Sequence, residues 1–262
     1  MPFQALEIQL TGPVATIWMN RPDLHNAFDE TLIAELTAAC IAIEADNDVR
    51  VVILAGRGKS FSAGADLNWM KRAANNGLDD NLNDARALAR MLRVLAEMKK
   101  PTIARVQGAA LGGGMGLAAA CDIAVASTKA VFATSEVKFG IIPAAISPYV
   151  LRAIGARQAY RYFQSAERID AARAREIGLV HETVEPEQLD AKVQEIVGSL
   201  LQGGPFSQAA AKDLIRAVSG RPINDTLVDD TAHRIAHLRT TPEAREGIAA
   251  FLEKRQPNWI GE

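Results

Sequence analysis

The stretch that decides the fold is GAALGGGMGLAAACD, Gly108 to Asp122, which places four glycines in the five positions Gly112 to Gly116. Behind it runs PTIARVQG (101–108), an apolar, β-branched segment that reads as a strand. Its own later half, LAAAC (117–121), is alanine-rich and reads as a helix. Two demands can place glycines at such a junction: close packing of the helix on the sheet, or the approach of a bound molecule to the main chain. The N–H groups at a helix N-terminus lack partners, and the helix dipole adds partial positive charge there. A glycine leaves them uncovered, which suits an anion or a developing oxyanion. Packing explains any one of these glycines; four together after a strand point to a ligand.

Outward from this junction the same alternation continues. ALEIQL and VATIWM flank Thr11-Gly12-Pro13 and read as a hairpin with an edge strand. Asp29 caps a helix whose Leu32, Ile33, Leu36, Cys40 and Ile43 share one face. VRVVILAG is a continuous apolar run, the mark of a strand buried on both sides. LNDARALARMLRVLAEMKK is an amphipathic helix stopped by Pro101, and CDIAVAS and AVFAT are strands. From about Asp170 the pattern is helical: one helix between Asp170 and Gly178, then helices near 187–202, 205–219, 222–239 and 242–254. The expected architecture is therefore an α/β core over 1–195 with a helical C-terminal region over 196–262, whose extra helices serve assembly.

Composition narrows the function. Of 262 residues 48% are hydrophobic and 23% charged, with a net charge of −2, so no basic face for nucleic acid is implied. Two cysteines, Cys40 and Cys121, make neither a disulfide framework nor a metal-ligand spacing. The N-terminus lacks the pattern of a signal peptide. The longest apolar stretch, Ala109 to Cys121, is shorter than the roughly 20 residues a bilayer requires. A soluble, cytoplasmic protein is expected.

Several motifs carry chemistry. ILAGRGKS resembles a phosphate-binding loop, but Ile53 stands where the first glycine is needed, so a surface turn after a strand is the better reading. In FSAGADL (61–67), small residues at Ala63, Gly64 and Ala65 open the backbone, and Asp66 can cap a following helix. Two open backbone sites suggest two N–H donors converging on one oxygen. Glu136, in FATSEVKFGIIP, is a carboxylate in an apolar setting, with a raised pKa if buried; a solvated helix-start glutamate is the alternative. His233 and His237 lie four apart on one helix face without a third ligand, so no metal is expected. No GxSxG elbow is present. Trp69 and Met70 read as pocket or core. Lys71 and Arg72 read as solvent charges that could meet an anionic substrate tail.

Together NRPDLHNAF, GKSFSAGADL, VQGAALGGGMGLAAACDIAVAS, SEVKFGIIP, EIGLVHETV and FLEKRQP occur in the order that resembles the enoyl-CoA hydratase/isomerase (crotonase) family, across essentially the whole chain. The resemblance implies a crotonase-like spiral of ββα units with a helical C-terminal trimerisation region, assembled as trimers or hexamers. It implies an acyl-CoA thioester substrate, with coenzyme A as part of that substrate and no separate cofactor. By position, the N–H groups of Ala65 and Gly113 would form an oxyanion hole. Leu24, His25, Ala63, Asp66, Leu67 and Asn68 would line the coenzyme A path, and Phe251 and Lys254 would approach the coenzyme A of a neighbouring subunit. Typical hydratases in this family carry two catalytic glutamates. The later position is Glu136; the earlier holds Gly116, a departure from the pattern.

Two chemistries fit one carboxylate. Hydration adds water across an α,β double bond, and Δ3,Δ2 isomerisation moves a proton between C2 and C4; both pass through a thioester enolate. The segments around Gly116 and Glu136 are most similar to bacterial methylglutaconyl-CoA hydratases of leucine and isoprenoid breakdown, which implies hydration of a branched enoyl-CoA. Lys71 and Arg72 are then candidates for its free carboxylate, and the missing charge at Gly116 would suit an anionic acyl group. Ser147 and Tyr149 are candidates to replace the missing acid. A related eukaryotic enzyme binds RNA, but the corresponding region, Asn83 to Lys100, mixes Arg86, Arg90 and Arg93 with Asp84 and Glu97, which argues against RNA binding here.

Overall fold

The first hairpin sets the edge of the main sheet. In a computed structural model, which describes residues 3–260, β1 (Leu6–Thr11) pairs antiparallel with β2 (Val14–Met19) through a tight turn at Gly12, whose φ is +54°. Asp29 caps α1 (Glu30–Ala45) by accepting from the Leu32 N–H, and the expected apolar face is buried. β3 (Val51–Gly56) is buried at every position, as a strand covered on both faces must be. Asp66 then caps a short α2 (Leu67–Ala73), and α3 (Leu78–Glu97) packs on α1.

β4 (Thr102–Val106) leads to β5 (Ala109–Leu111), a short strand inside the glycine-rich stretch, and then to α4 (Gly113–Ala120). β6 (Ile123–Ser127) and β7 (Val131–Ala133) follow, and α5 (Ser147–Ser165) is broken by a non-helical Gly155. β8 (Ile169–Asp170), α6 (Ala171–Glu176) and β9 (Glu182–Val184) complete the strands. α7 (Leu189–Leu201), α8 (Pro205–Val218), α9 (Asp225–Arg239) and α10 (Pro242–Glu253) end the chain.

The main sheet has the order β1-β2-β3-β4-β6-β9, parallel except for β1, and a second sheet has the order β5-β7-β8. The expectation of helices alone after Asp170 is corrected by β9, which pairs parallel with β6 through Val125–Glu182 to Ser127–Val184. Its three residues are half-buried and carry little alternation, so hydrogen bonding to the sheet edge decides their conformation rather than hydrophobic period. Contacts divide the chain into two compact units. One comprises the chain to Met98 with Thr102–Glu195; the other comprises Lys99–Pro101 and the chain from Ile196. Among the described residues no helix is long and apolar enough to cross a membrane.

A buried polar lock holds the loops that follow β2 and β3. Asn26 is fully buried in a left-handed conformation (φ +55°). Its amide donates to the carbonyls of Arg57 (2.9 Å) and Ser60 (2.8 Å) and accepts from the Arg21 N–H (2.9 Å). Replacing it by alanine leaves three backbone groups without these partners. Asn26→Ala should lower stability by about 3 kcal/mol, read as a shift of the urea midpoint at unchanged slope.

Candidate active site

The loop FSAGADL is held between two neighbours by parallel-strand pairing. On one side the Phe28 N–H donates to the Gly64 carbonyl (2.6 Å) and the Asp66 N–H donates to the Phe28 carbonyl (2.8 Å). In parallel pairing the residue between those two partners turns its own N–H the other way. Ala65 is that residue, and its N–H has no acceptor among the described residues. On the other side the Ser62 N–H donates to the Ala109 carbonyl (3.0 Å) and the Leu111 N–H donates back to Ser62 (2.9 Å). Arg21 fastens this arrangement from beneath, pairing with both helix-capping carboxylates, Asp29 (2.9 Å) and Asp66 (3.0 Å).

The glycines let α4 begin against that loop. Gly112 is its N-cap, with φ +49° and ψ −117°, and its N–H donates to the Ala133 carbonyl of β7 (2.8 Å). A side chain on Gly113 would overlap the Phe28 ring, and one on Gly114 would meet the Ser62 carbonyl. Gly64 (φ +91°) completes the contact, since a Cβ there would lie 3.0 Å from the Leu111 carbonyl oxygen. Gly113 is the first helical residue, so its N–H has no intrahelical partner, and none exists elsewhere among the described residues. Close packing of backbone on backbone thus brings the Ala65 and Gly113 segments together and leaves both N–H groups open.

Glu136 begins a 3-10 turn just after β7. Its Oε1 lies over Gly112, 3.1 Å from where a Cβ would stand, and its Oε2 is buried without a hydrogen-bond partner among the described residues. Burial pushes this carboxyl above the usual glutamate range, partly opposed by a hydrogen bond from its own backbone. A carboxyl with a raised pKa beside two open N–H donors can move a proton next to a stabilised oxyanion.

The model of the family described as enoyl-CoA hydratase/isomerase matches residues 9–262. This chain belongs to the enoyl-CoA hydratase/isomerase family. A crystal structure of an enoyl-CoA hydratase from Shewanella pealeana ATCC 700345 superposes with a TM-score of 0.96 at 43% identity, covering 98% of this chain and 96% of that one. The crotonyl-CoA hydratase of Syntrophomonas wolfei is 33% identical over 99% of both chains. The trans-2-decenoyl-[acyl-carrier-protein] isomerase of Streptococcus mutans is 28% identical over the full length of both. The chain therefore has the crotonase fold and is an enzyme of hydratase or isomerase type.

The other residues named from the sequence fall into distinct settings. His25 is exposed, in a left-handed conformation, with Nδ1 3.0 Å from the Ser60 hydroxyl, and Leu24 beside it is exposed. Ala63 is half-buried and its N–H is used by the His25 carbonyl (2.9 Å). The Asp66 side chain caps Asn68 and Trp69 and pairs with Arg21; Leu67 and Asn68 are exposed. Phe251 and Lys254 lie in the second unit, Phe251 exposed on α10 and Lys254 at its end. His233 is exposed and 3.4 Å from Asp229; among the described residues no cluster suits a metal ion.

Arg72, exposed as a solvent charge would be, pairs with Glu30 (2.7 Å) at the surface, while Lys71 is exposed. The Ser147 hydroxyl donates to the Ala144 carbonyl (2.8 Å), and Tyr149 is half-buried, its hydroxyl pKa pushed up by burial. Gly116 is not an empty place left by a missing acid. The side chain of Ile146, itself 2% exposed, fills the space that a residue-116 side chain would need. Packing therefore accounts for this glycine without the charge of a substrate.

Arg21, Asn26, Phe28 and Ile146 carry no chemical signature in the sequence. NRPDLHNAF reads as a motif, but nothing in its pattern tells a ligand contact from a buried lock. Gly116→Glu should lower stability by about 3 kcal/mol through overpacking, and adding Ile146→Ala should recover at least half. An unchanged melting temperature in Gly116→Glu alone would remove Ile146 as the cause.

Proposed function

We propose that the protein hydrates the α,β double bond of a branched enoyl-CoA, with methylglutaconyl-CoA as the specific substrate. The observation that carries the reading is the buried Glu136 carboxyl, one oxygen unpartnered, lying over Gly112. The thioester carbonyl accepts hydrogen bonds from the Ala65 and Gly113 N–H groups. Glu136, ionised, takes a proton from a water as the water oxygen bonds to C3. The π electrons move onto the thioester, forming an enolate that the two N–H groups stabilise. Glu136 then returns its proton to C2, so one molecule of water is added and the carboxylate is regenerated. A single carboxylate suffices because both proton movements occur on one face. The choice of acyl group rests on the likeness of the segments around Gly116 and Glu136 to methylglutaconyl-CoA hydratases. Lys71 is the remaining candidate for the acyl carboxylate.

A second reading, Δ3,Δ2 isomerisation, is favoured by Ile146. An apolar side chain over Gly116 supplies no second polar group to hold a water. Product mass separates the two. Incubation with methylglutaconyl-CoA, crotonyl-CoA and a 3-enoyl-CoA should give addition of one water to the 2-enoyl substrates. An unchanged mass with a moved double bond would establish the isomerase instead. Glu136→Gln should reduce kcat by about 10³-fold in either case, and retained activity would overturn the mechanism. Because the ionised carboxylate is the active form and its pKa is raised, kcat/KM should fall as pH drops through a midpoint above the usual glutamate range.

We further propose a homotrimer or a dimer of trimers. Supporting it are exposed apolar side chains on the C-terminal helices, among them Ile215, Ile235, Ile248 and Phe251. Light scattering should give three or six chain masses; a monomer would refute the assembly.

A further inference from the structure

Helices α1 and α3 pack side by side, yet their outer edges leave an open cleft of 490 Å³. That volume lies within the range of about 300–1,000 Å³ in which small-molecule sites fall. Its lining includes Ile33, Ala38 and Ile41 of α1, Ala87 of α3 and, from α2, Trp69. Glu136, Ala65 and Gly113 take no part in it.

The charges at the cleft are uneven. Arg86 and Arg90 both line it, four residues apart and so on one face of α3. Both are exposed, and neither makes an ion pair or hydrogen bond among the described residues. Glu30 also lines the cleft, but Arg72 neutralises it at 2.7 Å. Asp84 adds one negative charge. Two guanidinium groups against one carboxylate leave a single positive charge beside an apolar floor.

We propose that this cleft binds an amphipathic monoanion, a fatty carboxylate, with its chain along the floor and its carboxylate between Arg86 and Arg90. The guanidinium fork matches a planar carboxylate, and two arginines on one helix face can share its two oxygens. The alkyl chain gains by leaving water against Ile33, Ile41 and the Trp69 ring. The acidic Asp84 disfavours a dianion such as phosphate, which sets the ligand class as a singly charged head with an apolar tail.

Calorimetric titration with decanoate, below the concentration at which it self-associates, tests this. The wild-type protein should show saturable binding of one decanoate per chain. Arg86→Ala/Arg90→Ala should weaken it at least tenfold, decanol should bind the wild type no better than decanoate binds that variant, and inorganic phosphate should not bind. Ala38→Trp, which fills the cleft, should abolish binding; if that variant fails to fold, the arginine variant decides alone, because both its positions are exposed. No saturable binding, or equal affinity in the arginine variant, as occupation of the active site by decanoate would give, overturns the proposal.

Discussion

The site depends on one close approach, the N-terminus of α4 against the loop 62–65. At Gly64 and Gly114 a Cβ would meet backbone of the opposite segment, at Gly113 it would overlap the Phe28 ring, and at Gly112 it would crowd the Glu136 carboxylate, so glycine is what lets these segments come so near. The consequence is electrostatic. Parallel pairing at Phe28 turns the Ala65 N–H outward, and the helix start leaves the Gly113 N–H without a partner. The sheet delivers β7 alongside β5, and the turn after β7 carries Glu136 over Gly112. A backbone packing requirement and a chemical requirement are met by the same four glycines.

Supporting groups act at a distance from the reacting atoms. Arg21 joins the N-caps of α1 and α2, and Asn26 ties the loop after β2 to the loop after β3. Such ties fix the loop that presents Ala65, and preorganised donors are what make oxyanion stabilisation effective. Glu136 is treated in the opposite way. It is buried, which raises its pKa, and one of its oxygens has no hydrogen-bond partner among the described residues.

Gly116 shows how a residue's meaning can change between sequence and structure. In the sequence, the family resemblance makes it read as a missing carboxylate. In the fold it is the floor on which Ile146 rests, two residues after Gly114 and with its own reason to be small. The absence of an acid and the presence of an apolar neighbour are one packing solution.

The sequence by itself determined the long elements and the chemistry of the junction. The α1 face, the buried β3 run, the caps at Asp29 and Asp66 and the strand–glycine–helix junction are local patterns, set by period, capping and backbone freedom within a few residues. The tertiary structure decided the rest. β8 and β9 are two and three residues long and exist because a neighbouring strand offers hydrogen bonds. Arg72 reads as a solvent charge, and only the fold brings Glu30, distant in sequence, beside it. Gly116 reads as a vacancy until Ile146 fills it. Each of these turns on which groups meet across tens of residues, and no local pattern records that.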